Sequence, residues 1–218
     1  MTDFFWNVRA RPTRGPKPAL TLEQIADAAI AVADADGLAA VSMQRVAADL
    51  GYTKMALYRY VPGKAELVAV MLERAIGEPP AAAGEWRDRL SAWAAALLER
   101  YAGHAWAIEA TAGRRPIGPH ELDWMESALT ALPPGLTGAE RMDAVATLAG
   151  HAKAIAGQGP ESDLTEVIGL VLREHAERYP SVVAAVTDMA GKGGSDQAFL
   201  FGLDRILDGL EALVAQRV

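Results

Sequence analysis

Apolar residues recur three and four positions apart along most of this 218-residue chain, which is the spacing of one face of an α-helix. No stretch of useful length shows the two-residue alternation of a β-strand. Glycine and proline interrupt the helical pattern, as at Gly37 and Pro133. The pattern therefore predicts an all-α protein, with helices over residues 22–36, 64–76, 86–103, 105–111, 119–132, 138–157, 163–179, 181–190 and 195–216.

Two shorter helices joined by a tight turn are predicted in the first third of the chain. Ser42 is suited to cap the first of them, and Gly51 ends it where the chain has to turn. The second is expected over Thr53–Tyr60, with Leu57 and Val61 continuing the apolar face. This arrangement is typical of a helix-turn-helix unit, whose second helix enters the major groove of DNA.

The polar residues of this unit carry hydroxyls, cations and aromatic rings, which are the groups that bind DNA. Thr53 and Lys54 come first in the second helix, where side chains reach base edges, and lysine donates to the acceptors of guanine. The alternative is that the tyrosines are packing residues and Arg59 is a solvated cation. The candidate DNA-binding residues are Ser42, Gln44, Arg45, Tyr52, Thr53, Lys54, Tyr58, Arg59, Tyr60 and Lys64.

The charge distribution agrees with DNA binding although the net charge is −7. Residues 1–64 hold eight Lys/Arg and six Asp/Glu, whereas residues 65–218 hold 13 and 22. Phosphate binding depends on the local charge, so the basic first part is the part suited to DNA. Residues 1–20 are predicted to form a flexible arm that either reaches a minor groove or stays a loosely attracted tail. Its cations are Arg9, Arg11, Arg14 and Lys17.

Composition and missing motifs disfavour several other classes of protein. The absence of cysteine excludes disulfides and thiolate chemistry, and the four histidines lack ligand spacing, so no metal site is predicted. Nucleophile-elbow, phosphate-loop and dinucleotide motifs are missing, so the sequence predicts neither an enzyme nor a cofactor. No apolar run approaches the about 20 residues that span a bilayer, and the first residues lack the apolar core of a signal peptide. A cytoplasmic protein without membrane contact is expected.

The acidic second part of the chain holds four of the five tryptophans. Aromatic rings and methionines offer adaptable apolar contact, and a histidine offers one directional hydrogen bond. We predict that such residues line a cavity for a mostly apolar small molecule, with core packing as the alternative. Arg114 and Arg115 either receive an acidic ligand group, act as a lever to the DNA-binding domain, or lie solvated beside acids. The candidate ligand-binding residues are Trp106, Trp124, Met125, Met142 and His151.

Past Thr21, nearly the whole chain resembles a known family. The segments LEQIADAAIAVADADG and LAAVSMQRVAADLGYTKMALYRYVPGKAELV are similar to the DNA-binding domain of the TetR-type transcriptional repressors. The segments GRRPIGPHELDWMESALTAL and FLFGLDRILDGLEALV resemble the ligand-binding half of the tetracycline-repressor-like branch. The resemblance implies that Tyr58 hydrogen-bonds one DNA phosphate and that Lys64, at a helix N-terminus, holds another.

Pattern and resemblance together predict the organisation of the protein. An N-terminal three-helix helix-turn-helix DNA-binding domain is expected at 21–64, and a connecting helix and linker at 65–80. A larger C-terminal helical bundle for ligand binding and dimerisation is expected at 81–218. The implied function is that of a ligand-responsive repressor that releases a palindromic operator in double-stranded DNA. The alternatives are a regulator without a small-molecule ligand, an activator, and a helical enzyme or carrier on the same scaffold.

The last long helix carries an apolar stripe, which the resemblance assigns to a homodimer interface. There it pairs with the helix over 138–157 and with the copies of both across a two-fold axis. The stripe is formed by Phe199, Leu203, Ile206, Leu207, Leu210 and Leu213. The small residues that permit close approach are Gly150, Ala152, Ala154, Gly202 and Gly209.

Overall fold

The computed structural model describes residues 4–6, 20–81, 83–112, 114–158, 164–191 and 197–217. In these ranges the chain forms eleven α-helices and no strand, so the predicted all-α fold is confirmed. Across the same ranges no helix is long and apolar enough to cross a membrane. The helices are α1 (Leu22–Asp36), α2 (Met43–Asp49), α3 (Lys54–Leu57), α4 (Lys64–Ile76), α5 (Trp86–Gly103), α6 (Trp106–Ala110), α7 (Pro119–Ala131), α8 (Gly138–Ala156), α9 (Leu164–His175), α10 (Pro180–Gly191) and α11 (Ala198–Ala215).

Local sequence signals determine where the first helices begin and end. The Thr21 hydroxyl accepts the N–H of Gln24 at 3.2 Å, and the Gln24 side chain accepts the N–H of Thr21 at 2.9 Å. This capping box starts α1, and Gly37, with φ +81°, ends it in a conformation that favours glycine. The Ser42 hydroxyl accepts the N–H of Arg45 at 3.2 Å and caps α2, as predicted.

Helices α1 to α4 enclose the first part of the core. α1 packs on α2 and α4, and α2 packs on α3. Leu57 and Val61 are fully buried, as the apolar pattern predicts. They join Ile25, Ala29, Val41, Val46 and Leu67 in this core.

α4 also packs against the rest of the molecule. It contacts α5, α6 and α7, while α5 packs on α8 and α8 packs on α11. The Arg74 guanidinium pairs with Asp27 of α1, with Nη2 to Oδ2 at 2.9 Å. Helix α4 therefore contacts both α1 of the first group of helices and α5, α6 and α7 of the rest of the molecule. A displacement of α4 would act on both groups.

Two residues of the apolar stripe of α11, Leu203 and Leu207, face inward, which corrects the prediction for these two residues of the dimer interface. Leu203 and Leu207 are only 3% and 1% exposed, because α11 packs on α8 and α5 within one subunit. Gly202 lies against the imidazole of His151, where an added Cβ would overlap the ring, and Ala152 is fully buried. These residues therefore pack helices inside the subunit.

Some predicted features lie outside the described residues. They are the arm cations Arg9, Arg11, Arg14 and Lys17, and the ends Asp163 and Ser195 of two predicted helices.

Candidate nucleic-acid interface and ligand cavity

The helix-turn-helix is built by a tight turn between α2 and α3. Gly51 has φ +73°, and the N–H of Tyr52 donates to the carbonyl of Ala47 at 2.8 Å. The Thr53 hydroxyl accepts the N–H of Ala56 at 3.4 Å and caps α3. The helix predicted over Thr53–Tyr60 is shorter than expected, because α3 ends at Leu57 and residues 58–60 form a hydrogen-bonded turn.

Nine of the ten candidate DNA-binding residues have exposed side chains, and Tyr60 is half-buried against the core. Lys54, Arg59 and Lys64 form no ion pair within the described ranges, so their charges are available to phosphates. The Lys64 ammonium also donates to the carbonyl of Leu38 at 3.5 Å. Arg45 differs, since its guanidinium lies 2.6 Å from Asp36 and 4.0 Å from Asp49.

Met55, which the sequence analysis missed, is 65% exposed between Lys54 and Tyr58. An exposed apolar side chain at the start of such a helix is suited to a thymine methyl group. The missed signal is an apolar residue on the polar side of the predicted helix.

A cavity of about 210 Å³ lies between α4, α5, α7 and α8. Helices α4, α5 and α8 line it with residues four positions apart. Helix α7 contributes Glu121, Trp124 and Met125. Each helix therefore presents one face to the cavity. The remaining lining residues are Leu72, Ile76, Trp93, Leu97, Tyr101, Thr111, Arg115, Val145, Ala149 and Lys153.

Polar groups of the cavity interact with one another. The Lys153 ammonium donates to the Thr111 hydroxyl at 3.0 Å and lies 5.5 Å from the centre of the Tyr101 ring. Arg115 and Glu121 form a two-point ion pair, with side chains only 10% and 16% exposed. Burial raises the pKa of Tyr101 to about 12, so its phenol is neutral at pH 7. Burial, with the positive charge of Arg115, lowers the pKa of Lys153.

Two tryptophans form an apolar part of the wall. The rings of Trp93 and Trp124 meet edge to face, with centres 5.6 Å apart. The Trp93 indole N–H donates to the carbonyl of Trp124, and the Trp124 indole N–H donates to the carbonyl of Gly77, both at 2.9 Å. Their polar atoms are thus satisfied, and the cavity meets aromatic carbon.

The structure brings Trp124 and Met125 to this cavity, but not the other three candidate ligand-binding residues. The Trp106 indole donates to Asp34 at 2.6 Å and lines a different pocket, beside α1. Met142 is 47% exposed near the start of α8. The His151 imidazole donates from Nε2 to the carbonyl of Phe199 at 2.9 Å and so fastens α8 to α11.

Lys153, Glu121 and Thr111 also line the cavity but were not predicted from the sequence. Lys153 follows Val145 and Ala149 at intervals of four, which places a cation on the lining face of α8. The sequence signal that could have identified Lys153 is a charged residue that continues the apolar positions of one helix face.

The C-terminal end of α4 is fastened to the start of α7. The Glu73 carboxylate accepts the N–H groups of His120 at 2.8 Å and Glu121 at 3.0 Å. The His120 Nδ1–H donates to the carbonyl of Glu73 at 2.8 Å. Burial raises the pKa of Glu73, and the two backbone N–H groups partly oppose this by stabilising the charged form.

Replacing Gly118 with alanine is expected to lower the free energy of unfolding by about 1–3 kcal/mol, the cost of leaving buried hydrogen-bonding groups unpaired. An added Cβ at Gly118 would overlap the Glu73 carboxyl group and displace it from the start of α7. Urea denaturation would measure the loss. The control is Gly138→Ala, where nothing lies within 4 Å of the added Cβ. An equal effect of both changes would contradict the predicted role of Glu73.

Among the described residues, no group of three or more histidine, cysteine, aspartate or glutamate side chains is placed to hold a metal ion.

A helix-turn-helix with an exposed basic face, joined through one helix to a bundle with a cavity, defines a regulatory DNA-binding protein. The family model "Bacterial regulatory proteins, tetR family" matches residues 19–71. The model "Tetracyclin repressor-like, C-terminal domain" matches residues 78–214. The chain belongs to the TetR family and is a transcriptional repressor of that family, which confirms the resemblance drawn from the sequence.

Relatives of known name agree with this assignment. The HTH-type transcriptional repressor DrrR1 of Streptomyces coeruleorubidus is 40% identical over 234 aligned positions, which cover 99% of this chain and 86% of DrrR1. The crystal structure of the Streptomyces coelicolor TetR family protein ActR in complex with (S)-DNPA has a TM-score of 0.72 and 25% identity, covering 88% of this chain and 98% of ActR. ActR in complex with actinorhodin shares the fold, with a TM-score of 0.71, 24% identity and coverage of 92% and 100%. Because these relatives are regulators, the prediction that the chain is not an enzyme is confirmed.

Proposed function

We propose that the protein is a homodimeric repressor that binds a palindromic operator and releases it when a small molecule enters the cavity. The observation that carries this proposal is the position of α4. Its first residue, Lys64, belongs to the exposed basic surface, and Leu72 and Ile76 in its last two turns form one wall of the cavity. The domain division at 21–64, 65–80 and 81–218 remains part of the proposal, with α4 as the helix that both parts share.

The proposed DNA contacts are of two kinds, contacts to bases and contacts to phosphates. Thr53 and Lys54 meet base edges, because they come first in the exposed part of α3. Tyr58 and Lys64 bind phosphates, and the α4 N-terminus adds its partial positive charge beside Lys64. Arg45 reaches DNA only by exchanging its partners Asp36 and Asp49 for a phosphate.

The homodimer is proposed to form through exposed faces of α8 and α11. Met142, Ala146, Gly150 and Ala154 are exposed at intervals of four along α8, which makes a face of mostly small side chains. Gly209 and Ala212 are exposed on α11. Small residues let two helices approach closely, and a two-fold axis through such faces would pair the two DNA-binding surfaces.

The size of the cavity supports a mechanism for release. A volume of about 210 Å³ lies below the roughly 300–1,000 Å³ of pockets for drug-sized ligands. A ligand larger than this volume would press on the helices that line the cavity, among them α4, which Glu73 and Trp124 hold to α7. A shift of α4 would then reach Lys64 and, through Arg74 and Asp27, α1.

A binding screen followed by an operator titration tests this mechanism. Aromatic compounds that raise the melting temperature identify cavity ligands, and operator affinity is then measured with and without each of them. We expect a saturating ligand to weaken operator binding by roughly 5–150-fold, the usual range of allosteric coupling. Ligands that bind in the cavity but leave operator affinity unchanged would contradict the proposal.

Lys64→Ala is expected to weaken binding to all duplexes by a similar factor, because a phosphate contact carries no sequence information. The slope of log affinity against log salt concentration should shrink by about one unit. Titrations of specific and random duplexes at several salt concentrations measure both quantities. An unchanged slope with an altered sequence preference would place Lys64 on a base instead.

Lys54→Ala is expected to relax specificity at one base pair of each half-site and to cost about 1–3 kcal/mol on the preferred operator. The physical reason is the loss of donors to guanine at the start of α3. Affinities for operators with single base changes measure the effect. An equal loss on specific and random DNA would show that Lys54 binds a phosphate.

A further inference from the structure

We propose that the ligand of this cavity is an aromatic acid, with its rings against Trp93 and Trp124 and its anionic oxygen on the ammonium of Lys153. The inference rests on the proposed function, since it names the chemical class of the molecule that the cavity takes.

The cavity wall carries an ammonium group that no carboxylate contacts. The Lys153 ammonium has three donors, and its one hydrogen bond to the described residues goes to the Thr111 hydroxyl at 3.0 Å. Throughout the described ranges no carboxylate lies within 4.0 Å of it. The Glu121 carboxylate acts on Lys153 from a longer distance and is already paired with Arg115. A half-buried ammonium that no carboxylate contacts favours an anion in the adjoining space.

The other charged groups of the cavity already neutralise each other. Arg115 and Glu121 form their two-point pair, and the Arg115 Nε–H donates to the carbonyl of Ala110 at 2.7 Å. The lining therefore carries a net charge of +1, which is the charge of Lys153. The neutral Tyr101 phenol, under the same ammonium, adds a second donor for an oxygen anion.

Another part of the cavity wall is apolar. Both indole N–H groups are satisfied by backbone carbonyls, so this part of the cavity has little to offer a polar ligand group. It offers the carbon of Trp93 and Trp124 and the thioether of Met125, which suit a flat ring system. A flat apolar body with one acidic group matches both parts of the lining.

A charge series on one ring system tests this inference. The probes are naphthalene-2-carboxylate, its neutral carboxamide, and the cationic naphthalen-2-ylmethanamine. Their binding to the full-length protein is measured by quenching of tryptophan fluorescence and by calorimetry. We expect the acid to bind tighter than the amide by about tenfold or more, because only the acid places a negative charge beside the Lys153 ammonium, and the amine to bind weakest.

Two variants assign the preference to Lys153. Lys153→Met, which keeps an unbranched apolar side chain, should abolish the preference for the acid, because the acid loses an ion pair and the amide loses only the hydrogen bond of a neutral oxygen. Lys153→Arg, the matched control, should keep the preference. Thermal unfolding verifies that both variants fold, and Lys153→Gln replaces Lys153→Met if that variant does not.

The possible results separate this inference from the proposed function. An acid that binds no tighter than the amide, a preference that survives Lys153→Met, or no binding of any probe would overturn the inference. If the acid binds through Lys153 but leaves DNA bound, the inference stands and ligand-induced release fails. If only uncharged compounds release DNA, release stands and the inference fails.

Discussion

Replacing Trp124 with alanine is expected to lower the free energy of unfolding by about 3–5 kcal/mol. The side chain is only 4% exposed, and its ring packs against Trp93. Its indole also donates to the carbonyl of Gly77, which ends α4. The substitution would therefore enlarge the cavity and loosen the end of α4 at the same time. Denaturant titration measures the loss, and the compounds that release the operator should change as well.

A comparison with Trp124→Phe separates the two contributions. Phenylalanine keeps an aromatic ring near Trp93 but removes the donor to Gly77, which should cost about 1–3 kcal/mol. A loss below about 1 kcal/mol for Trp124→Ala would show that the indole is not a packed part of the core.

Gly150→Glu is expected to convert the proposed dimer into a folded monomer and to weaken operator binding by about a thousandfold or more, equal to about 4 kcal/mol. Gly150 is exposed on α8, and nothing lies within 4 Å of an added Cβ, so the subunit tolerates a side chain there. In the proposed interface the same side chain would place a charge between closely packed helices and meet its own copy across the two-fold axis. Sedimentation equilibrium measures the mass.

The control for this prediction is Gly169→Glu. Gly169 lies inside α9, which is not part of the proposed interface, and nothing lies within 4 Å of its added Cβ. A Gly150→Glu dimer that still binds the operator would refute the interface. These two glycine substitutions test the interface more directly than a charge at Leu203 would. Leu203 is buried, so a charge there would unfold the subunit.

The sequence predicted the parts of the fold that depend on neighbours along the chain. The capping box at Thr21, the cap at Ser42 and the breaks at Gly37 and Gly51 are local hydrogen bonds or backbone conformations. The family signature likewise lies in one continuous segment. The end of α3 was missed because residues 58–60 form a turn that the tyrosine-rich pattern does not distinguish from a helix.

The cavity could be predicted only in part, because periodicity shows which residues share a helix face but not which faces meet. Trp124 and Met125 lie in the lining of one cavity, whereas Trp106 lies on the side facing α1. Tertiary packing also turns the stripe of Leu203 and Leu207 inward, onto the helices of the same subunit. Lys153 was overlooked because a lone lysine at the end of an apolar helix ordinarily indicates a solvated position.

The most direct test of a dimeric repressor with this DNA-binding surface is the selection of bound duplexes from a random pool by the full-length protein. We expect the enriched sequences to share an inverted repeat, with half-site centres separated by about 34–36 Å or a multiple of it. Lys54→Ala should blur one position in each half of the repeat, and Gly150→Glu should prevent enrichment. An enriched motif without two-fold symmetry, or no enrichment over the starting pool, would contradict the proposed function.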